Sequence, residues 1–173
     1  MEYIDVYTAQ RQLTGRTQER GKTLNEGEYR IVVHAALFNK SGKLLIQQRQ
    51  PFKKGWSGLW DLTVGGAVTA GENSQTAIVR ELQEELGLTW DLKGEPPCLS
   101  ITFDHGFDDI YLLRGEVEPE RLQLQYEEVA QVKWADLEEI RQMLAEGTFV
   151  PYHRSLIDLL FAMRERNGGL WTE

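Results

Sequence analysis

The sequence predicts an α/β fold, a mixed β-sheet sandwiched between helices. Short segments with β-branched or alternating patterns recur through the first 65 residues and again between residues 99 and 134. Three segments with apolar residues at helical spacing lie among or after them. The 173 residues are enough for one sizeable core. Strands and helices alternate irregularly, and the helices suffice to cover both faces of a central sheet.

Taken in order, Tyr3–Tyr7 alternates apolar and polar residues, which suits a short strand hairpinned with residues near Gln12–Arg16. Arg30–Phe38 is apolar and β-branched at its start, as in a strand buried on both faces. Asn39-Lys40-Ser41-Gly42 reads as a hairpin turn, with Lys43–Arg49 as the return strand. Gln50–Gly58 is a loop, and Leu59–Val64 a strand running into a Gly65-Gly66 turn. A helix is expected from Ser74 to Leu86. Asn73 is its N-cap and Gly87 its left-handed C-cap; Ile78, Val79, Leu82 and Leu86 form the apolar stripe. Leu99–Phe103 and Ile110–Val117 read as strands joined by a turn at Asp104–Asp109, and Val132–Trp134 as a short strand. Asp136-x-x-Glu139 has the form of a capping box before a helix with Leu137, Ile140 and Leu144 inward. Leu156, Leu159, Leu160 and Met163 mark a last helix. No repeat or low-complexity tract is present, and residues 1–173 are expected to form one domain with residues 1–29 as an N-terminal hairpin extension.

The most informative stretch is GAVTAGENSQTAIVRELQEELGL, from Gly66 to Leu88. On a helix, residues three and four apart are neighbours, so Glu81, Glu84 and Glu85 form one carboxylate patch. Like charges at that spacing cost a few tenths of a kcal/mol per pair in an isolated helix. Arg80 is the only cation between Glu72 and Trp90, so nothing within the helix offsets all three. A divalent ion with a preference for hard oxygen ligands would. The alternative for such a cluster alone is a solvated acidic face.

The spacing Gly66-x5-Glu72-x7-Arg80-Glu81-Leu82-x-Glu84-Glu85-x-Gly87-Leu88 resembles the Nudix box at every specified position. The resemblance implies a Nudix-type α/β/α sandwich and metal-dependent hydrolysis of a diphosphate linkage in a nucleoside diphosphate derivative or a related small molecule. It further implies Glu84 and Glu85 as metal ligands, Glu81 as a ligand or general base, and the Gly65 carbonyl as a ligand for Mg²⁺, with Mn²⁺ as the alternative ion. Arg80 would orient the carboxylates, with Glu72 as its partner. A later loop acid would come from Glu127-Glu128, with Glu128 as the chosen ligand, or from Asp108-Asp109.

A weaker similarity, over most of the chain, is to the isopentenyl-diphosphate isomerase branch of the same family. It rests on Leu37-Phe38-Asn39, Leu44–Arg49, Lys53-Lys54-x-Trp56 and Gly58-Leu59-Trp60-Asp61. It implies that Arg49 and Lys53 contact phosphate. The isomerase cysteine and histidine are missing, because the chain reads Val64-Gly65-Gly66-Ala67 there. Arg30 stands nearest to the branch's N-terminal metal histidine. Isomerisation and a non-catalytic ligand-binding module are therefore the alternatives to hydrolysis.

Composition narrows the partners. Twenty-seven acidic and 19 basic side chains give a net charge of −8, the opposite of the basic stripe of a nucleic-acid binder. A nucleic acid polymer is not an expected partner. One cysteine, Cys98, precludes an intrachain disulfide. No signal-like N-terminus and no apolar run of ~20 residues occurs, so no membrane partner is expected and the cytoplasm is the expected location. A homodimer is left open. Trp56 and Trp60 are candidates to stack on a base or to pack in the core, and His34 reads as a satisfied core residue.

Overall fold

In the computed structural model, residues 1–170 are described, and the last three of the expected 1–173 unit lie outside them. The strands are β1 (Tyr3–Tyr7), β2 (Leu13–Glu19), β3 (Arg30–Phe38), β4 (Leu44–Arg49), β5 (Trp60–Asp61) and β6 (Val64–Ala67). Helix α1 (Ser74–Leu86) follows, then β7 (Leu99–Phe103), β8 (Gly106–Arg114), β9 (Val129–Ala135), α2 (Leu137–Glu146) and α3 (Arg154–Ala162). β1 and β2 make a separate antiparallel hairpin. The other seven strands form one mixed sheet, in which only β3 and β8 run parallel.

The sheet is forked. β3 and β4 pair only at Phe38 and Leu44, beside their connecting turn. Beyond that point β3 pairs with β6, and β4 with β5 on one side and β9 on the other. The segment expected as one strand over Leu59–Val64 is therefore two, broken at Leu62-Thr63. The Asp61 carboxylate accepts the Leu62 amide at 2.7 Å. The Thr63 hydroxyl accepts from the Leu37 amide at 2.9 Å and donates to the Leu45 carbonyl at 2.6 Å. That buried hydroxyl stitches the two arms of the fork, a bond no alternation pattern reveals. Gly65 and Gly66 lie in β6, opposite His34 and Val33, and not in a turn.

Alternation along β3 sorts the core into two layers. Ile31, Val33, Ala35 and Leu37 pack with Leu45 and the Ile78, Leu82 and Leu86 stripe of α1. Ala36 and Phe38 pack on the opposite side with Ile140 of α2 and Ile157 and Leu160 of α3. Leu159 is 37% exposed and lies outside this face; Phe161 is buried in its place. β8 begins four residues earlier than expected, because His105 adopts a left-handed conformation (φ 57°) and closes the turn within two residues. Asp108 and Asp109 thus stand in a strand, not in an acidic turn.

Candidate active site

Helix α1 starts and stops where its caps say. Asn73 and Thr76 exchange side-chain-to-backbone bonds, and Gly87 (φ 68°) closes the helix with its amide on the Gln83 and Leu82 carbonyls. Between those ends the three carboxylates do not share one environment. Glu81 and Glu85 are buried, facing the sheet, while the Glu84 side chain is half-exposed.

Arg80 gathers the acids around it. Its guanidinium donates to both oxygens of Glu72 at 2.8 and 3.0 Å, to Glu81 at 2.9 Å, to Glu84 at 3.0 Å and to the Ala67 carbonyl at 3.0 Å. Burial pushes the Glu72 carboxyl up, but bonds from Arg80 and Thr69 outweigh it and hold the group at about 2. Burial raises the Glu81 carboxyl despite Arg80.

Glu85 has no such cation. Among the described residues no Lys, Arg or His lies within ion-pair distance of it, and its carboxylate accepts from Gln47 Nε2 at 2.8 Å. Burial, with the charges of Glu81, Glu128 and Asp61 added, raises it to about 8 despite the Gln47 bond. A divalent cation would remove that penalty, and the donor set is all hard oxygen. The residues fit such an ion in chemistry. Among the described residues no three His, Cys, Asp or Glu side chains are already gathered as a metal cluster. The reason is visible: Arg80 engages Glu81 and Glu84, and Lys53 engages Glu128.

Gly66 shows how closely β6 approaches α1. A Cβ built there would lie 2.0 Å from Glu81 Oε1, so only glycine leaves room for that carboxylate. At Gly65 a Cβ would lie 2.4 Å from the His34 ring, on the other face of the strand. Arg49 donates its Nε to the Gly55 carbonyl at 3.0 Å.

A cleft of about 650 Å³ opens on the face of the sheet away from α1, at the fork. Gly65, Gly66, Arg49 and Trp56 line it, together with residues the sequence did not single out as partners. Asp61 is buried and accepts from the Tyr152 hydroxyl at 2.7 Å. His34 Nδ1 lies 2.8 Å from Asp108 Oδ1. Burial lowers the His34 imidazole, but Asp108 outweighs it and the net shift is upward. Asp61 and Tyr152 are 91 residues apart in the chain, and neither has a motif around it, so only the fold could pair them. Lys53 is absent from the cleft lining and neutralises Glu128 instead. Asp109 is buried against Arg11 of the N-terminal hairpin and does not face the cleft. Trp60 packs under Lys133 and against the α2/α3 core. Burial raises the Cys98 thiol, which suits a packed residue.

These features meet in a known family. The model of the NUDIX domain matches residues 28–160, and the chain belongs to the Nudix hydrolases, a family of enzymes that generally use divalent metals and act on small molecules. It is 43% identical over 152 residues to an uncharacterised Nudix hydrolase of Listeria monocytogenes, covering 88% of this chain and 90% of the relative. An isopentenyl-diphosphate Δ-isomerase of Citrobacter koseri is 31% identical over 125 residues, 67% of this chain and 68% of the isomerase. In fold, the chain is similar to a crystal structure from Deinococcus radiodurans, with a TM-score of 0.73 at 24% identity over 92% of this chain and 97% of that one.

Proposed function

We propose that this enzyme hydrolyses the diphosphate linkage of a small molecule, a nucleoside diphosphate derivative or a related compound, with Mg²⁺ as its ion and Mn²⁺ as the alternative. One observation carries the reading: a buried carboxylate, Glu85, raised to about 8 and without a cationic partner, on the helix that also bears Glu81 and Glu84. Glu81, Glu84, Glu85 and the Gly65 carbonyl would hold the ion, with Glu128 completing the set from its loop. Bound there, the ion would neutralise phosphate oxygens and ease deprotonation of water.

The remaining steps belong to the chain. Glu81, buried and raised, would take the proton of the attacking water on its carboxylate. Arg80, fixed on Glu72, would orient Glu81 and Glu84 without touching the reacting atoms. Arg49 would contact substrate phosphate from the cleft, and Lys53 would assist by holding Glu128. Water adds to one phosphorus, the bridging P–O bond breaks, and two phosphorylated products leave. The chain would act as a single Nudix unit whose residues 1–29 brace the cleft. Its acidic surface disfavours a nucleic acid polymer as substrate.

The test is release of phosphate or mononucleotide from a panel of nucleotide and isoprenoid diphosphates in Mg²⁺ or Mn²⁺, compared with Glu84→Gln. The substitution should lower kcat by orders of magnitude and leave the circular dichroism spectrum unchanged. Equal turnover by the variant would remove Glu84 from the ion's ligands. Double-bond migration in isopentenyl diphosphate without phosphate release would replace hydrolysis by isomerisation.

A further inference from the structure

Arg30 has no role in the reading above, yet it is placed like a ligand-binding group. Arg30, Val32 and His34 alternate on one face of β3, and all three line the cleft. His34 sits opposite Gly65, and the next residue along that strand, Gly66, abuts Glu81 from the other face. Arg30 lies four strand residues away, about 13 Å along β3 at ~3.3 Å per residue. Its backbone is pinned by a bond from its amide to the His105 carbonyl at 2.9 Å. Its guanidinium stands over the Phe103 ring, 5.7 Å from the centroid. That ring is itself held against Gly106, where a Cβ would lie 2.2 Å from it.

The guanidinium is thus oriented while unclaimed by any acid. Among the described residues no carboxylate lies within ion-pair distance of Arg30. The neighbouring acid on the same face, Asp108, is engaged by His34. Of the other cleft arginines, Arg20 is paired with Glu2, and Arg49, bonded through Nε to the Gly55 carbonyl, is the one assigned above to the diphosphate that is cleaved. In a protein of net charge −8, an unpaired, pre-oriented guanidinium in a cleft is suited to an anion brought by the ligand.

We propose that Arg30 binds a second anionic group of the substrate, a phosphate borne apart from the diphosphate that is cleaved. This rests on the hydrolase reading for the position of the scissile linkage. The substrate class is then a diphosphate ester with a separate phosphomonoester at the far end of the cleft. One planar fork contacts that phosphate bidentately, while Phe103 keeps the fork from turning away.

Two commercial pairs differ only in such a phosphate: NADP⁺ against NAD⁺, and coenzyme A against its 3′-dephospho form. Binding is measured by calorimetry with Ca²⁺ in place of Mg²⁺ to suppress turnover. In at least one pair the wild type should hold the phosphorylated member about tenfold tighter, the scale of one charge-assisted contact. Arg30→Gln should erase that difference, and Arg30→Lys should keep part of it. Equal affinity within both pairs, a preference untouched by Arg30→Gln, or no binding of any member overturns the proposal. Turnover with Mg²⁺ is followed separately. An Arg30-dependent preference without any turnover counts against hydrolysis while supporting the distal phosphate site.

Discussion

Glu85 and Gly66 set the demands of the site at the level of single residues. With its carboxyl raised to about 8, mainly by burial, Glu85 stays protonated in the metal-free native state at pH values where the unfolded chain has ionised it. A raised carboxyl contributes most stability below its unfolded value of ~4.3, and that contribution is lost as pH rises towards 8. In EDTA, Glu85→Gln should therefore melt progressively higher than the wild type between about pH 5 and pH 8. In excess Mg²⁺ the order should reverse, because an ion bound only by the native state stabilises it. Melting curves at three pH values, with and without chelator, decide this, and identical curves under both conditions would sink it. Gly66→Ala would put a methyl 2.0 Å from Glu81 Oε1. The obstacle is the tip of a flexible side chain, so the fold should survive and the melting temperature move only slightly. Glu81 must turn away, and kcat should fall about a hundredfold, as for other ångström-scale misplacements.

Elements differ in how much of themselves they carry locally. The bounds of α1 are legible because its caps are side chains next to it: Asn73 bonds to Thr76, and Gly87 supplies the left-handed closure. The β5–β6 segment is different. Its pairing changes from β4 to β3 at Thr63, whose hydroxyl bonds to Leu37 and Leu45, 26 and 18 residues away. Those partners exist only after the sheet has forked. Thr63→Val keeps the volume and removes the hydroxyl, leaving the buried Leu37 amide unpaired. The expected cost is about 1–3 kcal/mol in urea unfolding. A loss below measurement error would mean that the fork does not depend on this stitch.

On the scale of the whole molecule, the N-terminal hairpin is tied down by backbone bonds of Tyr7 with Tyr29 and of Tyr3 with Ala70, and by a buried charged contact to the sheet. Arg11, in a left-handed turn (φ 60°), donates to both oxygens of Asp109 at 2.9 and 2.7 Å, and Asp109 is 1% exposed. Burial raises the Asp109 carboxyl, but Arg11 and Ser100 outweigh it and the net shift is downward. Arg11→Ala would leave that charge buried without a cation, held by hydroxyl donation from Ser100. The cost should be on the order of 2–3 kcal/mol, below the ~3–5 of a fully buried pair because the Arg11 side chain is 35% exposed. Asp109→Asn in the same background should recover part of it. Faster proteolysis within residues 8–20 of Arg11→Ala would show that the hairpin has loosened, and unchanged cleavage would assign its attachment to other contacts. No helix among the described residues is long and apolar enough to cross a membrane.

Local chemistry was readable from the linear chain. The α/β class, the extent of α1, the carboxylate motif and the family all follow from side chains within a turn or two of one another. Helix periodicity and capping act over three or four residues, and a motif is a set of fixed spacings. What depended on folding was how those groups are solvated and paired. Arg80 and Glu72, eight residues apart across a turn, were foreseeable. The exposed Glu84 beside the buried Glu85, the Lys53–Glu128 pair, the Asp61–Tyr152 bond and the free guanidinium of Arg30 were not. Burial and ion pairing are decided by whatever the remote chain brings alongside, and a spacing pattern carries no record of that.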